Sequence, residues 1–213
     1  MLDKHVLRSP AKSILNISNL QLAQAIAAEW DDQGEEVVPH TMPMMTLTST
    51  MVDRVLPQFD KVAADISEYG GSDLLCYRAE DTQEILAQKQ MVAWQPILDW
   101  AARELDVSLK ITKGIVYVEQ PKDSIKALSL KVSKLPPQAL TALHEFTSIT
   151  GSLILGLSVL SKHLSASEAY DLSQLDNDHQ AELWGSDYEA EDKRIHNAQD
   201  MQNADRFLQL SQG

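Results

Sequence analysis

Apolar residues recur along this chain mainly at intervals of three and four, the period of helices with one buried face. After Ser18 and Asn19, which can cap a helix, they fall at Leu22, Ala23, Ile26, Ala27 and Trp30, and Gly34 stops the run. Pro43 suits a first helical turn and is followed by Leu47, Met51 and Val55 up to Pro57. Phe59, Val62, Ile66 and Tyr69 then repeat the pattern up to Gly70-Gly71. Thr82 can cap a helix carrying Ile85, Leu86 and Lys89. Gln95-Pro96 opens another with Leu98, Ala101, Ala102 and Leu105, so two helices meet near Trp94. Ser124 starts a helix with Ile125, Leu128 and Val132 that Pro136-Pro137 closes. The second proline begins the next, which carries Leu140, Leu143 and Phe146 and whose pattern extends through Gly151 and Gly156 to Lys162. Small residues there let another helix approach closely.

Ser165-Ala166-Ser167-Glu168 is a capping box. The helix it opens is expected to bury Leu172, Leu175, His179 and Leu183 and to end at Trp184-Gly185. Asp187 can cap a final helix whose apolar positions are thin, Ile195, Ala198, Met201, Phe207 and Leu208, and which is expected to pack loosely.

Three segments depart from the helical period. Val6, Leu7, Ile14, Leu15 and Ile17 surround Ser9-Pro10 as short extended pieces broken by a turn. Asp73 to Arg78 is an apolar run too short for periodicity to decide between strand and helix entry. Val107, Leu109 and Ile111 alternate with polar residues, and Ile115 to Val118 follow a break at Gly114, which reads as a β-hairpin or strand pair. The fold class is therefore α+β, mostly α.

Of 213 residues 44% are apolar, enough for a sizeable core. Eighteen basic against thirty-one acidic residues give a net charge of −13, which disfavours nucleic acid and anionic lipid as partners. The acidity is concentrated: Ser165 to Arg206 holds eleven acidic residues and three basic ones. The longest apolar stretch, Gly151 to Leu160, is about half of a bilayer span, and Met1 to Val6 lacks the apolar core of a signal peptide, so no membrane insertion is expected. One cysteine, Cys76, forms no intramolecular disulfide, which fits a reducing compartment.

A search for chemistry leaves little. The six histidines never take the paired spacing of a zinc site, no glycine-rich phosphate loop is present, and neither metal nor cofactor is expected. Cys76, between Leu75 and Tyr77, reads as a buried structural thiol, with a small cysteine-dependent hydrolase as the remote alternative. Met42, Met44, Met45 and Met51 either fill a core or form the adaptable surface of a general holdase. Asp176, Asp178 and Glu182 form an acidic stripe, solvated or facing a partner. Asp176, Gln180 and Trp184 recur every four residues, and Trp184 at a helix end is either an interface anchor or a packing residue.

Several segments taken in order resemble the ATP-twelve family of ATP synthase assembly chaperones. They are Ala25 to Gln33 (AIAAEWDDQ), Thr41-Met42-Pro43, Asp73 to Ala79 (DLLCYRA) and Trp94 to Ala101 (WQPILDWA). Gly151-Ser152-Leu153 falls in the family's small-residue helix, and Leu175-Asp176 through Gln180 to Trp184-Gly185 and Glu189 is similar to its C-terminal signature. The resemblance implies a non-enzymatic chaperone of two parts: residues 1–120 with β-strands, and residues 121–213 all helical. It implies that the free alpha subunit of the F-type ATP synthase is bound and kept from aggregating before it pairs with the beta subunit. Asp176, Gln180, Trp184, Gly185 and Glu189 are the expected partner-binding residues, a monomer is favoured, and the compartment is bacterial cytoplasm or mitochondrial matrix. Two features depart from the family. Further upstream strands are usual there, with Gly where Lys4 stands, so a shorter N-terminal sheet is expected, and Gln95 replaces the usual acid before Pro96.

Overall fold

The fold was obtained as a computed structural model that describes residues 6–185 and 187–212. Lys4 lies outside them. Arg8 and Ile14 form an antiparallel bridge across the Ser9-Pro10 turn, the broken extended pieces expected there. Helix α1 (Leu20–Asp31) begins where Asn19 Oδ1 accepts the backbone N–H groups of Gln21 and Leu22. Helix α2 (Pro43–Thr50) lacks a local side-chain cap. It takes one from α1 instead, because the Glu29 carboxylate accepts Met44 N–H at 2.7 Å and Met45 N–H at 2.8 Å. A π turn, Met51–Val55, leads towards α3 (Phe59–Glu68). Met42, Met44 and Met45 are buried with Leu15, Leu22, Ile26, Leu47 and Phe207, so the methionine cluster fills a core.

Asp73 to Arg78 resolves as a 3₁₀ turn, Leu74–Cys76, followed by strand β1 (Tyr77–Arg78). Strand β2 (Thr112–Lys113) lies parallel to it, pairing Tyr77 with Thr112 and Arg78 with Lys113. The expected hairpin within Val107 to Val118 does not form. Side chains occupy the backbone groups that a hairpin would pair: Gln120 brackets the amide and carbonyl of Lys110, and Ser124 does the same for Ser108. Beyond Gly114 the run turns outward, and Ile115 is 97% exposed.

Residues Glu84–Glu104 form one helix, α4, with Pro96 inside it, rather than two meeting near Trp94. Proline removes one intrahelical donor, whose acceptor would be the carbonyl of exposed Val92. Trp94, Ile97, Leu98, Trp100 and Ala101 anchor both halves in the same core. Helices α5 (Lys122–Val132) and α6 (Pro137–Thr150) follow. The pattern that extended α6 to Lys162 is broken at Gly151, where φ is +68°. Ser152 then caps a separate α7 (Leu153–Leu160), its Oγ accepting Leu155 N–H. The close approach expected of small residues is real. A β-carbon on Gly156 would lie 2.8 Å from Leu143 Cδ1 and 2.9 Å from Thr147 Oγ1.

Helix α8 (Ala166–Ser173) opens with the expected capping box, but the helix does not continue to Trp184. Trp94 Nε1 donates to Leu172 O at 2.8 Å, which fixes the last turn of α8 against α4. The chain turns at Gln174 and restarts as α9 (Leu175–Trp184). Asp187 Oδ1 caps α10 (Tyr188–Ser211), accepting Ala190 N–H. Loose packing holds only for its first half. Met201, Ala204, Phe207 and Leu208 are buried, and Phe207 and Leu208 belong to the two different core clusters, so the end of α10 ties them together. No described helix is long and apolar enough to cross a membrane.

One carboxylate sits wholly inside. Asp73 accepts Ser152 Oγ–H at 2.7 Å, Ile154 N–H at 3.0 Å and Leu75 N–H at 3.1 Å, joining the β1 entry to the start of α7. Burial pushes its pKa up to about 6 from 3.8, against the lowering effect of those hydrogen bonds. The folded chain therefore takes up a proton between about 6 and 3.8 that the unfolded chain does not. This contribution to stability is complete below the unfolded pKa and is lost as pH rises through the folded one. Thermal melts should show stability rising with acidification across that window, and Asp73→Asn should flatten the slope even if it lowers the melting temperature at every pH. An unchanged slope in the variant would refute the assignment.

Candidate functional site

Cys76 is a poor nucleophile where it stands. It is fully buried, and desolvation followed by the adjacent Asp73 charge pushes its thiol up to about 12, so thiolate is scarce near neutrality. Among the described residues no three His, Cys, Asp or Glu side chains are grouped as a metal set.

The expected partner-binding residues lie at the α9–α10 corner. Helix α9 has a weak apolar face, and His179 is its one buried residue. Polar contacts dock it. Gln90 of α4 donates through Nε2 to Asp176 Oδ1 at 2.7 Å, while its Oε1 accepts Ala79 N–H and its backbone carbonyl accepts Arg78 Nη1. The buried Arg78 guanidinium lies over the Trp94 ring, 5.1 Å from its centre. Lys89 Nζ pairs with Glu182 at 2.5 Å and holds that carboxyl below its usual range. On the other flank Arg194 of α10 donates to Asp178 Oδ1 at 2.6 Å.

The five residues are therefore only partly brought together. Gln180, Trp184 and Gly185 line one groove between α9 and α10, with a volume of about 460 Å³. Asp176 turns towards α4, and Glu189 stands exposed in the first turn of α10. Trp184 is 81% exposed, which removes the packing account of this residue. Leu183, expected in the buried stripe, is 59% exposed, because the turn at Gln174 resets the helical phase. The sequence reading missed Tyr188, which is 94% exposed just after the Asp187 cap. It also missed the tethers from Arg78, Lys89 and Gln90, since partners 86 and 93 residues apart leave no local signal. A second groove, about 550 Å³, runs between α4 and α8–α9. Its walls include Ala93, Ile97, Leu172 and Leu175, with Glu168 and Asp171 among its acidic residues.

The described residues of this corner are acidic and aromatic, the composition of a binding surface. The pattern of the family described as ATP12 chaperone protein matches residues 1–102. The mitochondrial protein atp12 of Schizosaccharomyces pombe is 27% identical over 198 residues, which is 87% of this chain and 67% of that protein. The crystal structure of Atp12 from Paracoccus denitrificans is 42% identical and superposes with a TM-score of 0.95, covering 100% of this chain and 91% of that one. A structure from Agrobacterium tumefaciens is 39% identical with a TM-score of 0.92, covering 98% of this chain and 78% of that one. With identity and fold agreeing over the whole length, the chain belongs to the ATP12 family of chaperones, which serve ATP synthase assembly and are not enzymes.

Proposed function

We propose that this chain binds the free alpha subunit of the F-type ATP synthase and keeps it from aggregating until it pairs with the beta subunit. The observation that carries the reading is the aromatic pair Trp184 and Tyr188, both exposed beside the acidic α9. Large aromatics left in water contribute little to the fold and suit the centre of an interface. The contact lies in the helical part, residues 121–213, and the chain acts as a monomer, in bacterial cytoplasm or mitochondrial matrix.

Burial of Met42, Met44 and Met45 counts against a general holdase, which would present adaptable methionines to many clients. Co-expression with the alpha subunit alone tests the proposal. The soluble fraction of alpha should rise several-fold, and a pull-down should return that one subunit above all others. Alpha that stays insoluble beside abundant folded chaperone would refute the reading, and capture of many unrelated proteins would favour the holdase.

A further inference from the structure

A cavity of about 790 Å³ lies far in sequence from the α9–α10 corner, between the Arg8 to Ala11 segment, the loop after α1, and α2 with its π turn. Its size is that of a small-molecule site. Trp30, Val37, Met42 and Met45 give it apolar walls, and Arg8 and Arg54 bring two exposed guanidinium groups to it. Two of its lining residues carry a buried, unsatisfied polar atom. Ser49 is 7% exposed and its Oγ has no partner among the described residues, and neither has the buried Nε1 of Trp30. An indole N–H can only donate and a serine hydroxyl can donate, so both ask for an acceptor.

Asp53 also lines the cavity, but its carboxylate accepts Ser9 Oγ–H at 2.8 Å and Ala11 N–H at 3.4 Å, which fixes the N-terminal segment. Arg8 donates through Nη1 to Lys12 O and retains further donors, and Arg54 makes no ion pair among the described residues. Apolar walls, unsatisfied donors and excess positive charge select one chemistry. We propose that this cavity binds a carboxylate carried on an apolar chain, its body against Trp30 and Val37 and its head between the arginines and the two donors. Such a ligand comes either as a free fatty acid or as an acidic residue following apolar ones in a polypeptide.

Octanoate is the probe, and the indole N–H resonance of Trp30, identified by its loss in Trp30→Phe, is the readout by NMR on isotope-labelled protein. Saturable movement of that resonance is expected, with octanol binding about tenfold more weakly for want of charge-assisted hydrogen bonds. The Arg8→Gln/Arg54→Gln double variant, which changes two exposed side chains, should keep its circular dichroism and also lose about tenfold in affinity. A short peptide with leucines before a glutamate is then competed against octanoate. Displacement assigns the site to a polypeptide source, and failure to displace assigns it to free acids. An unmoved Trp30 resonance, or binding that neither octanol nor the double variant weakens, would overturn the proposal. Because the alpha-subunit assay does not enter, the outcome is independent of the proposed chaperone contact.

Discussion

Trp184→Ala is expected to weaken binding of the alpha subunit by about 2 kcal/mol or more, roughly thirtyfold in affinity, with no fall in the thermal melt. The two halves of that expectation rest on one observation. A side chain left 81% in water contributes little to the fold, so its removal leaves the core intact, yet it offers a partner a large rigid surface. Tyr188→Ala should act in the same direction, whereas Asp178→Ala, which loses a partly exposed pair with Arg194, should change affinity far less. Asp176→Lys is a different kind of change. It sets a cation against Gln90 Nε2 and near the Arg78 guanidinium, so it should loosen α9 and lower the melt as well as impair binding. Isothermal titration with refolded alpha subunit, beside a melt of each variant, separates these cases. Normal binding by a folded Trp184→Ala protein would move the client contact elsewhere.

Trp94→Ala is expected to be the most damaging single change, costing about 3–5 kcal/mol in urea unfolding. Trp94 is wholly buried at the middle of α4, carries the Arg78 guanidinium on its face and donates to Leu172 O. Its removal leaves a cavity, a buried cation without its platform and an unsatisfied carbonyl at the α8–α9 turn. Trp94→Phe keeps most of the apolar surface and should cost only about 1–3 kcal/mol, chiefly for that carbonyl. A loss below about 1 kcal/mol in the alanine variant would show that the joint is held by other contacts.

Much of the fold was legible because its signals are local. The Asn19 cap, the capping box at Ser165, the Asp187 cap and the helical spacing of Leu22, Ile26, Leu140 and Leu143 each act within a few residues. Readings failed where distant groups set the backbone, as where Gln120 and Ser124 occupy the amides of the expected hairpin. The start of α2 at Pro43 was legible, but its cap from Glu29 of another helix was not. Pro96 misled in the other direction, since buried neighbours on both sides hold α4 together through a residue that usually marks a boundary. At the candidate site, Trp184 and Gly185 stood out by residue type alone. Asp176 shared their spacing, but its partner in α4 turned it inward. Spacing along one helix says which side chains share a face and nothing about what that face meets.

The polar docking of α9 has a consequence in time. Its attachments to the body are the Lys89–Glu182 and Arg194–Asp178 pairs and the Gln90–Asp176 bond, and its apolar burial is slight. Ion pairs exposed in this way hold by about 0–1 kcal/mol each. Helices α6 and α7, buried through most of their length, open only with the whole molecule, whereas α9 can lift off at a small fraction of that cost. Gly185, at φ +83°, ends the helix in a conformation that favours glycine. Opening of α9 alone would carry Trp184 with it, so hydrogen exchange of the α9 amides should run ahead of exchange in α6 and α7, and a partner that holds Trp184 should slow it.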